Sequence, residues 1–128
     1  MDEDTIADSI AVGVPRNPDK ATNAIKESGG IVINVSDAEI MEAQRLLGRV
    51  CGVFGEPAGV TGTAGLKKAC ELGLIPSDST VVSIVTGNGL KDVDNVIKSM
   101  QPPIQILPEM SILLDAFEKN GIMPDNNQ

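Results

Sequence analysis

The apolar positions of the chain fall into two patterns, short continuous runs and stripes at helical spacing. Ile31-Val32-Ile33-Asn34-Val35 and Val81-Val82-Ser83-Ile84-Val85 are β-branched runs bounded by turn residues, which predicts strands. Between them Ile40, Ala43, Leu47 and Val50 recur at helical spacing, behind a Ser36/Glu39 capping-box signature. Asn17 and Pro18 suit the N-cap and first position of an earlier helix, which runs to about Ser28 and ends at Gly29-Gly30. A short extended piece, Gly52-Val53-Phe54, leads through Glu56-Pro57 into a third helix to about Leu72, stopped by Gly73. Leu90 to Met100 reads as a short helix, Gln101-Pro102-Pro103 as a break, and Ile104 to Leu107 as a third extended piece. Met110 to Asn120 reads as a last helix capped by Gly121. The tail from Pro124 to Gln128 is expected to fray.

Helix, strand, helix, helix, strand, helix is the order of an α/β protein with parallel strands. Residues 1–128 are expected to form a single domain, a three-layer αβα piece. Val81 to Val85 is nearly continuous apolar sequence, the signature of a strand covered on both faces. Two or three strands make a poor sheet, since sheets usually hold about four to six. The chain therefore reads as part of a larger, mostly parallel sheet.

Composition narrows the chemistry. Lys plus Arg total 10 against 18 Asp plus Glu, a net charge of -8, which argues against nucleic-acid binding. There is no His, so no Ser-His or Cys-His pair and no His-ligated metal arises within this polypeptide, and no metal site is expected. The longest apolar runs fall far short of the roughly 20 residues that span a bilayer. Met-Asp-Glu-Asp is the reverse of a basic signal-peptide start, so a cytoplasmic protein is expected. Cys51 and Cys70 form no CxxC pair and are expected as reduced, buried thiols.

Candidate chemistry lies in two places. Thr86-Gly87-Asn88-Gly89-Leu90-Lys91-Asp92 follows a strand, and ligands bind at strand carboxyl ends in open α/β folds. It is no dinucleotide fingerprint, because Asp92 stands where a third Gly is required, and no phosphate-binding GxxxxGK[ST] occurs. Glu56 stands at a helix N-terminus, either favouring the helix dipole or facing a ligand. Gly59, Gly62 and Gly65 recur within one helix, each costing about 1 kcal/mol relative to Ala. They point to close approach by a backbone or a flat ligand. Arg16, between prolines, is a solvated loop cation or a contact to an acidic group. The lysines at 20, 26, 67, 68, 91, 98 and 119 occupy polar faces or turns, and none has the apolar setting of a catalytic amine.

In order along the chain stand Thr5-Ile6-Ala7, Val12-Gly13-x-Pro15, Glu27-Ser28-Gly29-Gly30 and Val35-Ser36-Asp37-x-Glu39-Ile40. Gly52-Val53-Phe54-x-Glu56-Pro57-Ala58, Ala64-Gly65-Leu66 and Thr86-Gly87-Asn88-Gly89-Leu90-Lys91-Asp92 follow. This series resembles the carboxy-terminal part of the threonine synthase family, pyridoxal-phosphate enzymes of the tryptophan-synthase-β type of fold. The resemblance covers about residues 5 to 95, and residues 96–128 match less distinctly. It implies the elimination of phosphate from O-phosphohomoserine and addition of water to give threonine, the work of a carbon-oxygen lyase in threonine biosynthesis. It also implies cofactor-binding roles for Thr86, at the pyridine nitrogen, and for Glu56, near the cofactor. Gly87, Asn88 and Gly89 would shape the floor under the ring, and Thr5, Ile6 and Ala7 would line the pocket. A hydroxyl at the ring nitrogen leaves that nitrogen largely unprotonated.

The departures from the family are as informative. Its amino-terminal Schiff-base lysine motif and its glycine-rich phosphate loop are both missing. No catalytic residue is therefore assigned, and the chain is expected to be inactive alone and to need the missing amino-terminal half or self-association. The alternative is a non-catalytic domain, derived from a pyridoxal-phosphate enzyme, that binds a small ligand or a partner protein. That reading expects a closed fold in which Ile104–Leu107 pairs with Val81–Val85.

Overall fold

The computed structural model describes residues 4–100 and 103–122. The expected break at Gln101 and Pro102 and the tail from Pro124 lie outside the described residues. Five α-helices form where capping and spacing place them: α1 (Pro18–Ser28), α2 (Asp37–Cys51), α3 (Pro57–Glu71), α4 (Val93–Ser99) and α5 (Met110–Lys119). Proline occupies the first turn of α1 and α3, where its missing N–H has no helical partner to lose. Gly29 and Gly52, both at φ 66°, end α1 and α2 in the left-handed conformation that glycine takes without strain.

The capping box of α2 is complete. The Ser36 N–H donates to Glu39 Oε2 at 2.6 Å, and the Glu39 N–H donates to Ser36 Oγ at 3.3 Å. The expected helix from Leu90 is instead divided into a 3-10 turn, Gly89–Lys91, and α4. The side chain of Asp92 accepts from the Asn95 N–H at 3.4 Å and so starts α4 afresh.

The core is built from small side chains. α2 packs on α3, bringing Ile40 and Ala43 against Ala58, Val60 and Ala64, with Ala7 from the N-terminal stretch closing one side. That stretch is tied down by Asp37, which accepts from the Thr5 hydroxyl at 2.6 Å and from the Ile6 N–H at 3.1 Å. Lys68 of α3 fastens the start of α2, at 2.8 Å from Glu39 Oε1 and 2.8 Å from the Asn34 carbonyl. No residue of α1 or α5 is buried.

The expected αβα layering is not what this chain forms alone: it is mostly helical, and among the described residues there is no strand. Its β pairing is a single antiparallel bridge, Gly55 to Asn88. The runs 31–35 and 81–85 lie without a ladder, and Val82 (85%) and Ile84 (74%) are largely exposed. The physical reason is that a strand needs a neighbour for its backbone groups. Neither run lies beside the other, and Ile104–Leu107 pairs with neither.

The surface carries the same message. The chain exposes 10109 Å² at 13.4 kDa, whereas a folded monomer of that mass exposes about 6,500 Å².

Three smaller expectations are also corrected. Val50 is 68% exposed, because α2 turns its last turn away from α3. Cys51 and Cys70 are free but exposed, not buried. On α3 the inward position falls to Ala69, one residue and a quarter-turn from Cys70.

The capping box yields a pH prediction. Glu39 is held down to about 2, first by the Lys68 hydrogen bond and then by the Ser36 N–H and hydroxyl. Its folded pKa lies below the unfolded value, so its stabilisation is complete above about pH 4.5 and is lost as pH falls through about 2. Thermal melts across that range should fall more steeply for the wild type than for Glu39→Gln, and parallel curves would refute the assignment. At neutral pH, Ser36→Ala should cost about 1 kcal/mol by chemical denaturation.

Candidate functional site

The segment entering α3 and the loop after residues 81–85 are joined backbone to backbone. The Glu56 N–H donates to the Gly87 carbonyl at 3.0 Å, and the Gly89 N–H donates to the Phe54 carbonyl at 3.0 Å. Asn88 Oδ1 accepts from the Leu90 N–H at 2.9 Å, which caps the following 3-10 turn. Ser83 adds a side-chain tie to α3, its hydroxyl 3.0 Å from that of Thr63.

Glycine is required at the centre of this junction. A Cβ on Gly59 would lie 2.7 Å from the Gly87 nitrogen and 2.9 Å from its carbonyl oxygen. A Cβ on Gly87 would collide with the Glu56 carboxylate, and one on Gly89 would lie 2.5 Å from the Phe54 ring. The close approach expected of the α3 glycines is thus made at Gly59, by the backbone of Gly87. Around Gly62 and Gly65 a Cβ would meet nothing within 4 Å.

Of the predicted site residues, the structure brings Glu56 and Gly87 into contact, with Thr86 and Asn88 on either side of Gly87. Glu56 is only 6% exposed, and it is the N-cap of α3 without a side-chain capping bond. Thr86 and Asn88 are exposed and line a shallow cleft of about 210 Å³ with Val53, Phe54, Val85 and Gly87. Glu56 sits behind this cleft. Thr5, Ile6 and Ala7 do not line it; they are bound to Asp37 and the core. Arg16 is an exposed loop residue.

No lysine lines the cleft. Lys67 is held by Glu71 and Glu42, and its pKa is raised chiefly by the Glu71 hydrogen bond. Lys68 is held by Glu39, and Lys119 by Asp115. Among the described residues no group of three or more Cys, Asp or Glu could hold a metal. No described helix is long and apolar enough to cross a membrane.

Sequence reasoning missed two supporting residues. Asp37 grips the N-terminal stretch, and its only signal was its place in the first turn of a helix. Gln44 is 2% exposed and donates from Nε2 to the Gly55 carbonyl at 2.7 Å, behind the bridge to Asn88. Its signal was a polar residue between Ile40 and Leu47 on the inward stripe of α2.

Pyridoxal phosphate needs a partner for its ring nitrogen, a lysine for its aldehyde and donors for its phosphate. The cleft offers a hydroxyl and a glycine backbone but no cation, so its residues fit the ring-nitrogen side of the group and neither of the other two.

A backbone-defined cleft carrying one hydroxyl, without a lysine or a phosphate cradle, is one wall of a cofactor site. The sequence defines the class: residues 1–87 match the family model described as pyridoxal-phosphate dependent enzyme, and the chain belongs to that family. Within it the chain is similar to threonine synthases. It is 48% identical over 110 residues to that of Methanocaldococcus jannaschii, covering 86% of this chain and 27% of the relative. To that of Methanosarcina acetivorans it is 41% identical over 114 residues, covering 89% and 28%. To that of Mycobacterium tuberculosis it is 45% identical over 105 residues, covering 82% and 29%. The chain thus spans less than a third of the length of these relatives.

The glycines separate two roles on one helix. Gly59→Ala should destabilise by about 1–3 kcal/mol, because the Gly87 backbone must move. Gly62→Ala should stabilise by up to about 1 kcal/mol through helix propensity. Urea denaturation compares them, and equal effects would remove the junction from the account.

Proposed function

We propose that this chain is the carboxy-terminal portion of a threonine synthase, a cytoplasmic lyase of threonine biosynthesis. The complete enzyme converts O-phospho-L-homoserine and water to L-threonine and phosphate. The observation that carries this reading is the likeness to threonine synthases over more than four-fifths of the chain. The absence of a lysine from the cleft supports the further reading that the chain is inactive alone and does not retain the cofactor.

Pyridoxal phosphate, when bound, supplies an electron sink for the substrate carbanion. The residues of this chain act around it. Thr86 presents its hydroxyl to the ring nitrogen and keeps that nitrogen largely unprotonated, which moderates the sink. Gly87 lets the loop lie flat beneath the ring, since any side chain there would strike Glu56. Glu56 holds the loop by its backbone N–H and sets a negative charge behind it. Asn88 fixes the turn that leads away from the ring. The lysine and the phosphate cradle come from the remainder of the enzyme.

A self-sufficient binding domain is the less favoured reading. It requires Ile104–Leu107 to cover Val81–Val85, and these segments lie apart without a ladder.

The test is complementation. The chain alone, with pyridoxal phosphate and O-phosphohomoserine, should release no phosphate and develop no visible band of lysine-bound cofactor. Co-expression with the remaining amino-terminal portion of the Methanocaldococcus jannaschii enzyme should restore both. In that complex Thr86→Val should lower kcat about tenfold, as expected for loss of one hydrogen bond worth about 1.4 kcal/mol. A lysine-dependent band in the chain alone would contradict the proposal.

A further inference from the structure

Residues 31–33 and 81–84 border one groove of about 570 Å³, whose floor is the face of α3 that carries Gly62 and Gly65. Three observations describe what it can accept. First, it has no charged residue, and its two hydroxyls are engaged within the chain. Thr61 donates to the Pro57 carbonyl at 3.1 Å, and Ser83 pairs with Thr63. A small polar ligand would find no anchor there, although the volume suits one.

Second, the walls are extended backbone. Among the described residues, residues 31–33 and 81–84 make no backbone hydrogen bond. Such edges are templates for an added strand. Third, the floor is kept low. Gly62 and Gly65 weaken α3 as a helix, yet no neighbour in this chain approaches them.

We infer that this groove is the seat of extended, apolar strand from the portion of a threonine-synthase-type chain that this polypeptide lacks. Its backbone pairs with residues 81–84 and 31–33, and its side chains rest on α3 where Gly62 and Gly65 leave room. The occupant is the remainder of such a chain because the relatives are more than three times the length spanned here, and this chain's own third extended segment leaves the groove open. The inference rests on the reading of the chain as one portion of a threonine synthase.

The test uses the full 128-residue chain, tagged and co-expressed with the amino-terminal remainder of the Methanocaldococcus jannaschii enzyme. The double variant Gly62→Leu/Gly65→Leu fills the groove from a face that is open in the isolated chain, and should be at least as helical by circular dichroism. It should recover about tenfold less partner or worse, the equivalent of about 1.4 kcal/mol. Val82→Lys/Ile84→Lys, at positions already exposed, should lose the partner in the same way. Gly48→Leu, a glycine of α2 away from the groove, should keep it.

Undiminished recovery by both groove variants would overturn the inference and leave the threonine synthase reading standing. Failure of the wild-type chain to hold the remainder would overturn both. A wild-type dimer that the groove variants turn into a monomer would give the seat to a second copy and overturn the inference.

Discussion

The structure depends on one close approach. Gly59, in the first turn of α3, meets the backbone of Gly87 at distances that admit no side chain on either residue. This contact and the paired bonds at Glu56 and Gly89 fasten the loop 86–89 to the α2–α3 core. Without it, the segment 81–85 would keep little more than its Ser83 tie to α3. The small side chains of the core follow from the same demand, because Ala43, Ala58 and Ala64 let α2 and α3 lie close. A core so small is thin, and the large exposed surface is its consequence.

What could be read from the sequence was local in origin. The capping box at Ser36, the prolines opening α1 and α3, and the glycines ending α1 and α2 act within a few residues, so they specify helices wherever the rest of the fold stands. The strands were a different matter. Residues 31–35 and 81–85 carry the composition of buried strands, yet a strand exists only with a partner, and this chain supplies none. The misjudged cysteine is a smaller instance. Cys70 and Ala69 are adjacent in sequence, and only the packing of α3 decided which faces inward.

The candidate site was legible to a similar depth. The Glu56-Pro57 and Thr86-Gly87-Asn88-Gly89 motifs, far apart in sequence, meet across the Gly55–Asn88 bridge. The buried Gln44 behind that bridge escaped notice because the spacing of α2 marks its position as apolar. A wall of a cofactor cleft without the lysine or the phosphate cradle explains why family membership is evident while catalysis is not. The parts that define a pyridoxal-phosphate enzyme chemically are spread over a chain longer than this one, and these residues supply the ring-facing backbone.

Amide hydrogen exchange tests the central claim, that the runs 31–35 and 81–85 are strands awaiting partners. In the isolated chain their N–H groups should exchange nearly as fast as in an unstructured peptide, while those of α2 and α3 are protected. With the remainder of the enzyme bound, both runs should become protected together. Strong protection of both runs in the isolated chain would mean that the strands pair within it, and would contradict the claim.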